Sequence, residues 1–169
     1  MNVTKTDVIN TVAPSLYRDG MALLAGAVSI VTSDGPAGRA GFTASAVCSV
    51  CDTPPTLLVC AKEDSSIGRA FMTNRAICVN TIGPAHEALA IRFGGKTPAE
   101  ERFAMAEWRT GVSGAPVLPG ALVSFVGTVV KSERIGTHRV LFCQVQDILL
   151  SEQTAASVYF ARKFHHVQA

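Results

Sequence analysis

The chain has 169 residues, of which 48% are hydrophobic and only 17% are Asp, Glu, Lys or Arg, with a formal net charge of +2. A length of this order supports one sizeable core. The apolar content excludes a disordered chain, and the small charge excludes a surface that tracks nucleic-acid phosphates. Typical soluble chains carry about 25% charged residues, so part of the apolar excess is expected in a subunit contact or a ligand cleft.

Pro14 suits a first helical turn, and Leu16, Gly20, Leu23, Leu24 and Ala27 follow at helical spacing. The first twenty residues have no basic start followed by an apolar core, which predicts a chain without a secretory leader. The longest apolar stretch, 21–31, is far short of the ~20 residues that a membrane span requires. A Val/Ile-rich strand is predicted over 27–32, and Ser33-Asp34-Gly35-Pro36-Ala37-Gly38 is a dense turn signal. The next strand is predicted over 39–50, ended by Asp52-Thr53-Pro54-Pro55, and 56–60 reads as a short buried strand.

Ser65 and Ser66 can cap a helix through Phe71, and 77–82 is again strand. Pro84 opens a helix bearing Leu89, Ile91 and Phe93, which Gly94-Gly95 stops. The polar segment 96–110 is predicted as loop with a short helix near Glu100. Two long strands, 121–133 and 139–150, flank the turn Ile135-Gly136-Thr137, and a last short strand includes Val158-Tyr159-Phe160. Many short strands with few helices predict one β-barrel domain capped by helices, preceded by a poorly ordered extension over about 1–13.

Sequence motifs exclude more than they assign. Gly94-Gly95-Lys96-Thr97 lacks both the earlier glycine and the preceding strand of a phosphate-binding loop, since position 90 is alanine. Ala90 likewise removes the second histidine position from His86-Glu87, so no zinc helix is predicted. The five cysteines form no disulfide framework, which fits free thiols in a reducing cytoplasm. Cys48 and Cys51 share a strand where residues three apart face opposite sides, so they predict no redox pair and no metal site. Gly111-Val112-Ser113-Gly114-Ala115 lacks the closing glycine of a nucleophile elbow. The absence of a recognisable catalytic side chain points to chemistry carried by a bound cofactor.

One passage is more specific: Gly41-Phe42-Thr43-Ala44-Ser45-Ala46-Val47-Cys48-Ser49-Val50, then Asp52-Thr53-Pro54-Pro55-Thr56-Leu57-Leu58-Val59-Cys60. It resembles the short-chain NAD(P)H:flavin reductases, the reductase components of two-component flavin-dependent monooxygenases. The likeness continues through Leu89–Phe93, Gly94-Gly95-Lys96-Thr97-Pro98, Glu101-Arg102-Phe103, Trp108, Gly136-Thr137-His138 and Tyr159-Phe160 to Phe164-His165. Within the family, 35–50 and 93–98 look most like the FMN reductases of the pyrimidine-utilisation pathway. The reductase component of 4-hydroxyphenylacetate 3-monooxygenase is close behind.

The resemblance implies a mainly β fold, a split β-barrel of Greek-key type with a few capping helices. It implies an enzyme passing a hydride from NADH (or NADPH) to FMN (or FAD), a homodimer, and a separate oxygenase that receives reduced flavin. Two alternatives share the frame: a flavin-binding protein without turnover, and a flavin-dependent reductase of corrin cobalt. Carried over by position, Ala44, Ser45, Ala46, Val47, Cys48 and Ser49 line the flavin ring. Ala61, Lys62, Ser65, Ser66 and Ile67 hold the ribityl phosphate, and Phe93, Gly94, Gly95 and Lys96 close over its end. Lys62-Glu63 stands where relatives often have Asn-Arg, which sets Glu63 and Asp64 beside that phosphate. The same likeness puts His138 at the nicotinamide, with Tyr159 and Arg162 nearby, the latter able to pair with a dinucleotide phosphate. It assigns no metal ligand, and His165 and His166 receive no role.

Overall fold

Pro14 starts the first helix, α1 (Pro14–Ala22), whose apolar residues remain exposed instead of joining a core. In this computed structural model, residues 10–63 and 66–169 are described, with the backbone alone for Ser66 and Ile67. Most of the predicted N-terminal extension, and Asp64 and Ser65 of the predicted cap, therefore lie outside the described residues.

Strands β1 (Gly26–Ala27) and β2 (Ser29–Ser33) follow the helix, then β3 (Ala40–Ala44), β4 (Val47–Asp52) and β5 (Pro55–Lys62). The predicted strand 39–50 is thus two strands, broken at Ser45-Ala46. The break has a topological cause: β3 pairs with β2 while β4 pairs with β5, so one continuous strand cannot serve both. Helix α2 (Ser66–Thr73) and β6 (Ala76–Thr81) come next, followed by a 3₁₀ turn at Pro84–His86, α3 (Glu87–Gly94) and α4 (Ala99–Ala104). The short β7 (Arg109–Thr110) and β8 (Pro116–Val117) pair with each other. The long hairpin is β9 (Val123–Ile135) and β10 (His138–Leu150). The single predicted final strand is a hairpin, β11 (Ala155–Phe160) and β12 (Lys163–Gln168), turned by Ala161 and Arg162 in the left-handed region.

The main sheet is antiparallel, in the order β3-β2-β6-β9-β10-β5-β4. It curls until Val31, Ala44, Val59, Val79 and Leu141 from five of its strands share one core with Phe71 of α2. The two sheet edges, β3 and β4, are consecutive in the chain, and the barrel stays split between them. β2 is buried on both faces because its alternate residues serve two cores. Val31 points into the barrel, while Ile30 packs outward against Leu89, Ala90 and Phe93 of α3 and Phe103 of α4. That double burial takes in the polar residues of the strand as well, since Ser29, Thr32 and Ser33 are all buried.

β4 corrects a further expectation. A bulge near Val50 sets Cys48 opposite Leu58 and Cys51 opposite Thr56, so the two thiols share one face of the strand. All five cysteines are free, and burial pushes Cys78 and Cys143 up to about 12. Among the described residues no helix is long and apolar enough to cross a membrane, and no cluster of His, Cys, Asp and Glu fits a metal ion.

Candidate functional site

The barrel split creates a site because it removes Ser45 and Ala46 from both ladders: β3 ends at Ala44 and β4 begins at Val47. Beside this junction lies a cavity of about 330 Å³, at the small end of the range for ligand pockets, about 300–1,000 Å³. Thr43, Ala44 and Ser45 form one wall, and Ala90, Ile91 and Gly94 of α3 form the facing wall. Tyr159 and Phe164 close the third side across the last hairpin, their rings edge-to-face with centroids 5.4 Å apart. The walls keep their spacing partly through Thr43, whose Oγ1 donates to the Ala90 carbonyl at 2.6 Å.

β1 connects the cavity to the junction. Gly26 pairs with Tyr159, and a Cβ on Gly26 would lie 3.3 Å from the Ser45 Cβ, so glycine lets the small sheet lie directly on the split. From the junction the site continues along β5. The Cys60 amide donates to the Ala46 carbonyl at 3.2 Å, and Lys62, two residues on, pairs with His138 at the start of β10. Ser45-Ala46, Cys60–Lys62 and His138 therefore occupy one end of three neighbouring strands, β4, β5 and β10, about 10 Å across.

Charge at that end is organised by Glu63. Arg139 Nε donates to its Oε1 at 3.0 Å, and Arg134 Nε forms an ion pair with Oε2 at 2.7 Å. The Glu63 amide also donates to the Thr137 carbonyl at 3.0 Å. Glu63 thus neutralises two arginines of the β9–β10 hairpin and ties that hairpin to β5. His138 is exposed, with Thr137 Oγ1 3.0 Å from its Nδ1.

The structure brings together some of the residues singled out in the sequence and separates others. Ala44, Ser45, Gly94 and Tyr159 line the cavity, while Ala46, Ala61, Lys62 and His138 lie along the strand ends. Val47 is half-buried under the core, and Cys48 and Ser49 run outward along exposed β4. Ala61 is buried in the barrel core and contributes backbone alone. Phe93 is buried too, packed against Phe103 and Trp108 at 5.1 and 5.6 Å, so its ring does not reach the cavity. Gly95 and Lys96 lie in a separate shallow cleft with Arg92 and Thr97, on the far side of Ile91. Arg162 pairs with Asp19 of α1 at 2.5 Å, which holds the last hairpin to the helix. Ser65 lies outside the described residues, and only the backbone of Ser66 and Ile67 is described, at the start of α2.

Val28, Ala90, Ile91 and Phe164 also line the cavity, and sequence reasoning gave them no role. Phe164 carried a signal, since Tyr159 and Phe164 sit on either side of a two-residue turn and so become cross-strand partners. His165 and His166 receive local partners. His165 Nε2 lies 3.2 Å from the Phe160 carbonyl, and His166 bridges Ser157 Oγ at 3.4 Å and Glu87 Oε2 at 3.1 Å.

A family model described as "Flavin reductase like domain" matches residues 21–168, from the end of α1 to the end of β12. The chain belongs to this flavin reductase family. An FMN reductase (NADH) RutF of Ancylobacter novellus is 54% identical over 151 residues, covering 89% of this chain and 83% of the relative. The FMN reductase (NADH) RutF of Escherichia coli K12 is 51% identical over 157 residues, covering 93% and 96%. A crystal structure assigned to a flavin reductase of Haemophilus somnus 129PT superimposes with a TM-score of 0.89 at 43% identity, over 92% of this chain and 100% of that one. BorF, the flavin reductase component of a bacterial two-component tryptophan halogenase, shares the fold alone, with a TM-score of 0.85 at 22% identity over 93% and 99%. In this flavin reductase domain the small-residue junction and its cavity are the features a flat aromatic ring fits. Ala44, Ala90 and Gly94 present low walls, and the Ser45-Ala46 backbone lies between the two ladders, with the Ala46 carbonyl bonded to Cys60.

Proposed function

We propose that the protein is an NADH-dependent FMN reductase whose flavin ring lies along the β3–β4 junction. The observation that carries this reading is the Ser45-Ala46 junction at the barrel split, between the β2–β3 and β4–β5 ladders and opening on an aromatic-edged cavity, in a chain of this family. FMN, when bound, supplies the acceptor for a hydride from NADH. The protein's own part is to align two flat rings and exclude water, and alignment is worth about 7–11 kcal/mol of barrier. Hydride transfer of this kind asks for no side-chain acid or base.

In this reading Ala44–Ser49 present backbone to the ring, while Lys62, Ser65, Ser66 and Ile67 take the ribityl phosphate. Gly94 borders the ring, Gly95 and Lys96 stay in their separate cleft beyond Ile91, and His138 and Tyr159 border the nicotinamide. Arg162, paired with Asp19, supports the hairpin that carries Tyr159 and Phe164. Arg134 and Arg139, the arginines nearest His138, are both held by Glu63, which supports NADH over NADPH, whose extra phosphate calls for unpaired basic groups. The chain acts as one flavin reductase domain, works in the cytoplasm as a homodimer, and delivers reduced flavin to a separate oxygenase.

The test is direct. Purified protein oxidises NADH catalytically only after FMN is added, with FAD and NADPH as poorer substitutes. Flavin that copurifies tightly without turnover would establish a binding protein instead, and a preference for a cobalt corrin over free flavin would establish a corrin reductase.

A further inference from the structure

The segment 96–108 takes little part in the proposed reaction, yet it holds the one charged side chain among the described residues that is buried, Arg102 at 3% exposure. No carboxylate pairs with it among the described residues. Its Nη1 donates to the Gly41 carbonyl of β3 at 3.0 Å and to the Phe93 carbonyl of α3 at 3.2 Å. The guanidinium lies over the Phe93 ring, 5.4 Å from its centroid, and its buried Nε has no hydrogen-bond partner among the described residues. Its charge is offset by the carbonyl-rich C-terminal turn of α3, where the helix dipole is negative, and by the ring face. Burial lowers its pKa, in agreement with a cation removed from water.

The two carbonyls it holds belong to the strand and the helix that carry the two walls of the cavity, without lining it themselves. Gly41 precedes Thr43 by two residues and so lies on the same face of β3, and Phe93 directly precedes Gly94. Two links therefore join β3 to α3: the bond from Thr43 to Ala90 on one side, and the bridge through Arg102 on the other. Burying a cation without a carboxylate is a poor way to stabilise a fold, because desolvation outweighs what neutral partners return. A purely structural contact at this place is served better by an apolar side chain.

We propose that Arg102 is a positioning residue for the flavin ring, fixing the separation of β3 and α3 and thereby the width of the cavity between them. This rests on the reading of that cavity as the ring site. Arginine suits the task because one planar guanidinium can satisfy two carbonyls on different elements in a fixed geometry. Lysine reaches with a single compact ammonium and holds the spacing less firmly.

The test measures binding of FMN and of lumiflavin, which lacks the ribityl phosphate, to wild type, Arg102→Lys and Arg102→Met. Fluorescence titrations are run well below each variant's melting midpoint. Both flavins are expected to weaken by the same factor, about tenfold or more in Arg102→Met, the equivalent of about 1.4 kcal/mol, and less in Arg102→Lys. The KM for NADH at saturating FMN should change less than twofold. Arg102→Lys keeps the charge and the stem, so it decides the matter if Arg102→Met does not fold. Folded variants that bind lumiflavin like wild type overturn the proposal. So does weaker FMN binding with unchanged lumiflavin binding, which would place Arg102 at the phosphate. Ile91→Trp, at an exposed helical position on the cavity wall, separates the two levels of the argument. Unchanged flavin affinity in that variant removes the ring from the cavity and the proposal with it. Loss of affinity there, with none in Arg102→Lys, overturns the role of Arg102 alone.

Discussion

His86 lies at the end of the 3₁₀ turn with its Nδ1 buried and unpartnered, its ring 3.4 Å from where a Cβ on Gly120 would stand. Burial lowers its pKa from 6.5, so the folded chain binds its proton less readily than the unfolded chain. Its contribution to stability is full above pH 6.5 and declines as the pH falls through the lowered folded value. Denaturant melts of wild type and His86→Gln should therefore converge or cross toward acid, and parallel curves would remove this role. At the other end of the molecule, Glu63 anchors the hairpin that carries His138. Steady-state kinetics of Glu63→Gln and His138→Ala should each show a several-fold rise in the KM for NADH with a smaller change in that for FMN. Equal effects on both substrates would detach the hairpin from the nicotinamide. Neither role of Glu63 was legible in the chain, where it stood only as a negative charge beside Lys62. Its partners are 71 and 76 residues away, and only the strand register brings them in reach.

Asn80 shows how a strand residue can organise elements that lack regular structure of their own. Its Nδ2 donates to the Ile30 carbonyl at 3.0 Å, while its Oδ1 accepts from the Leu118 amide and Ser124 Oγ, each at 2.9 Å. Thr32 Oγ1, a further partner of Asn80, also bonds the Pro116 carbonyl, so β2 and β6 together hold β8 and the turn after it against the sheet. Asn80→Ala strands several buried groups, each worth about 1–3 kcal/mol, and a loss of about 3 kcal/mol or more in urea unfolding is expected. Of the elements, the long hairpin, α3 and β6 were readable from periodicity and turn residues. The break at Ser45-Ala46 was not, because small apolar residues run through it without a Gly or Pro signal. β12 escaped for the opposite reason: Lys163, His165 and His166 make it look like a polar tail, and its pairing with β11 is what makes it a strand. The ring site was located by family likeness, and periodicity alone would have read the same residues as ordinary core.

Much of the apolar excess noted in the composition remains on the outside of the chain. Leu16, Tyr17, Leu23 and Leu24 are each at least 60% exposed on or just after α1, and Ile148, Leu149 and Leu150 extend from the end of β10. Single exposed apolar residues are ordinary, but a helix with no buried residue is a face that water leaves unsatisfied. A second copy of the chain is its proposed cover. Sedimentation should find a dimer, and Leu16→Glu with Leu24→Glu should shift it toward monomer; a wild-type monomer at micromolar concentration would end that reading. At this scale the barrel and its capping helices were foreseeable from strand count and spacing, whereas the order of strands in the sheet was not.

That order has a consequence for how the empty protein behaves. Two consecutive strands at opposite margins of one sheet leave β4 as an outer strand whose amides and carbonyls on one side have no ladder partner among the described residues. Such a margin recruits whatever backbone comes near, including another molecule's. A ligand seated over the seam shields the adjoining amides, so hydrogen–deuterium exchange over 45–49 should slow when FMN is added. Light scattering from concentrated samples should fall at the same time. The gap in the barrel would then make ligand occupancy a safeguard of colloidal stability as well as a condition of turnover.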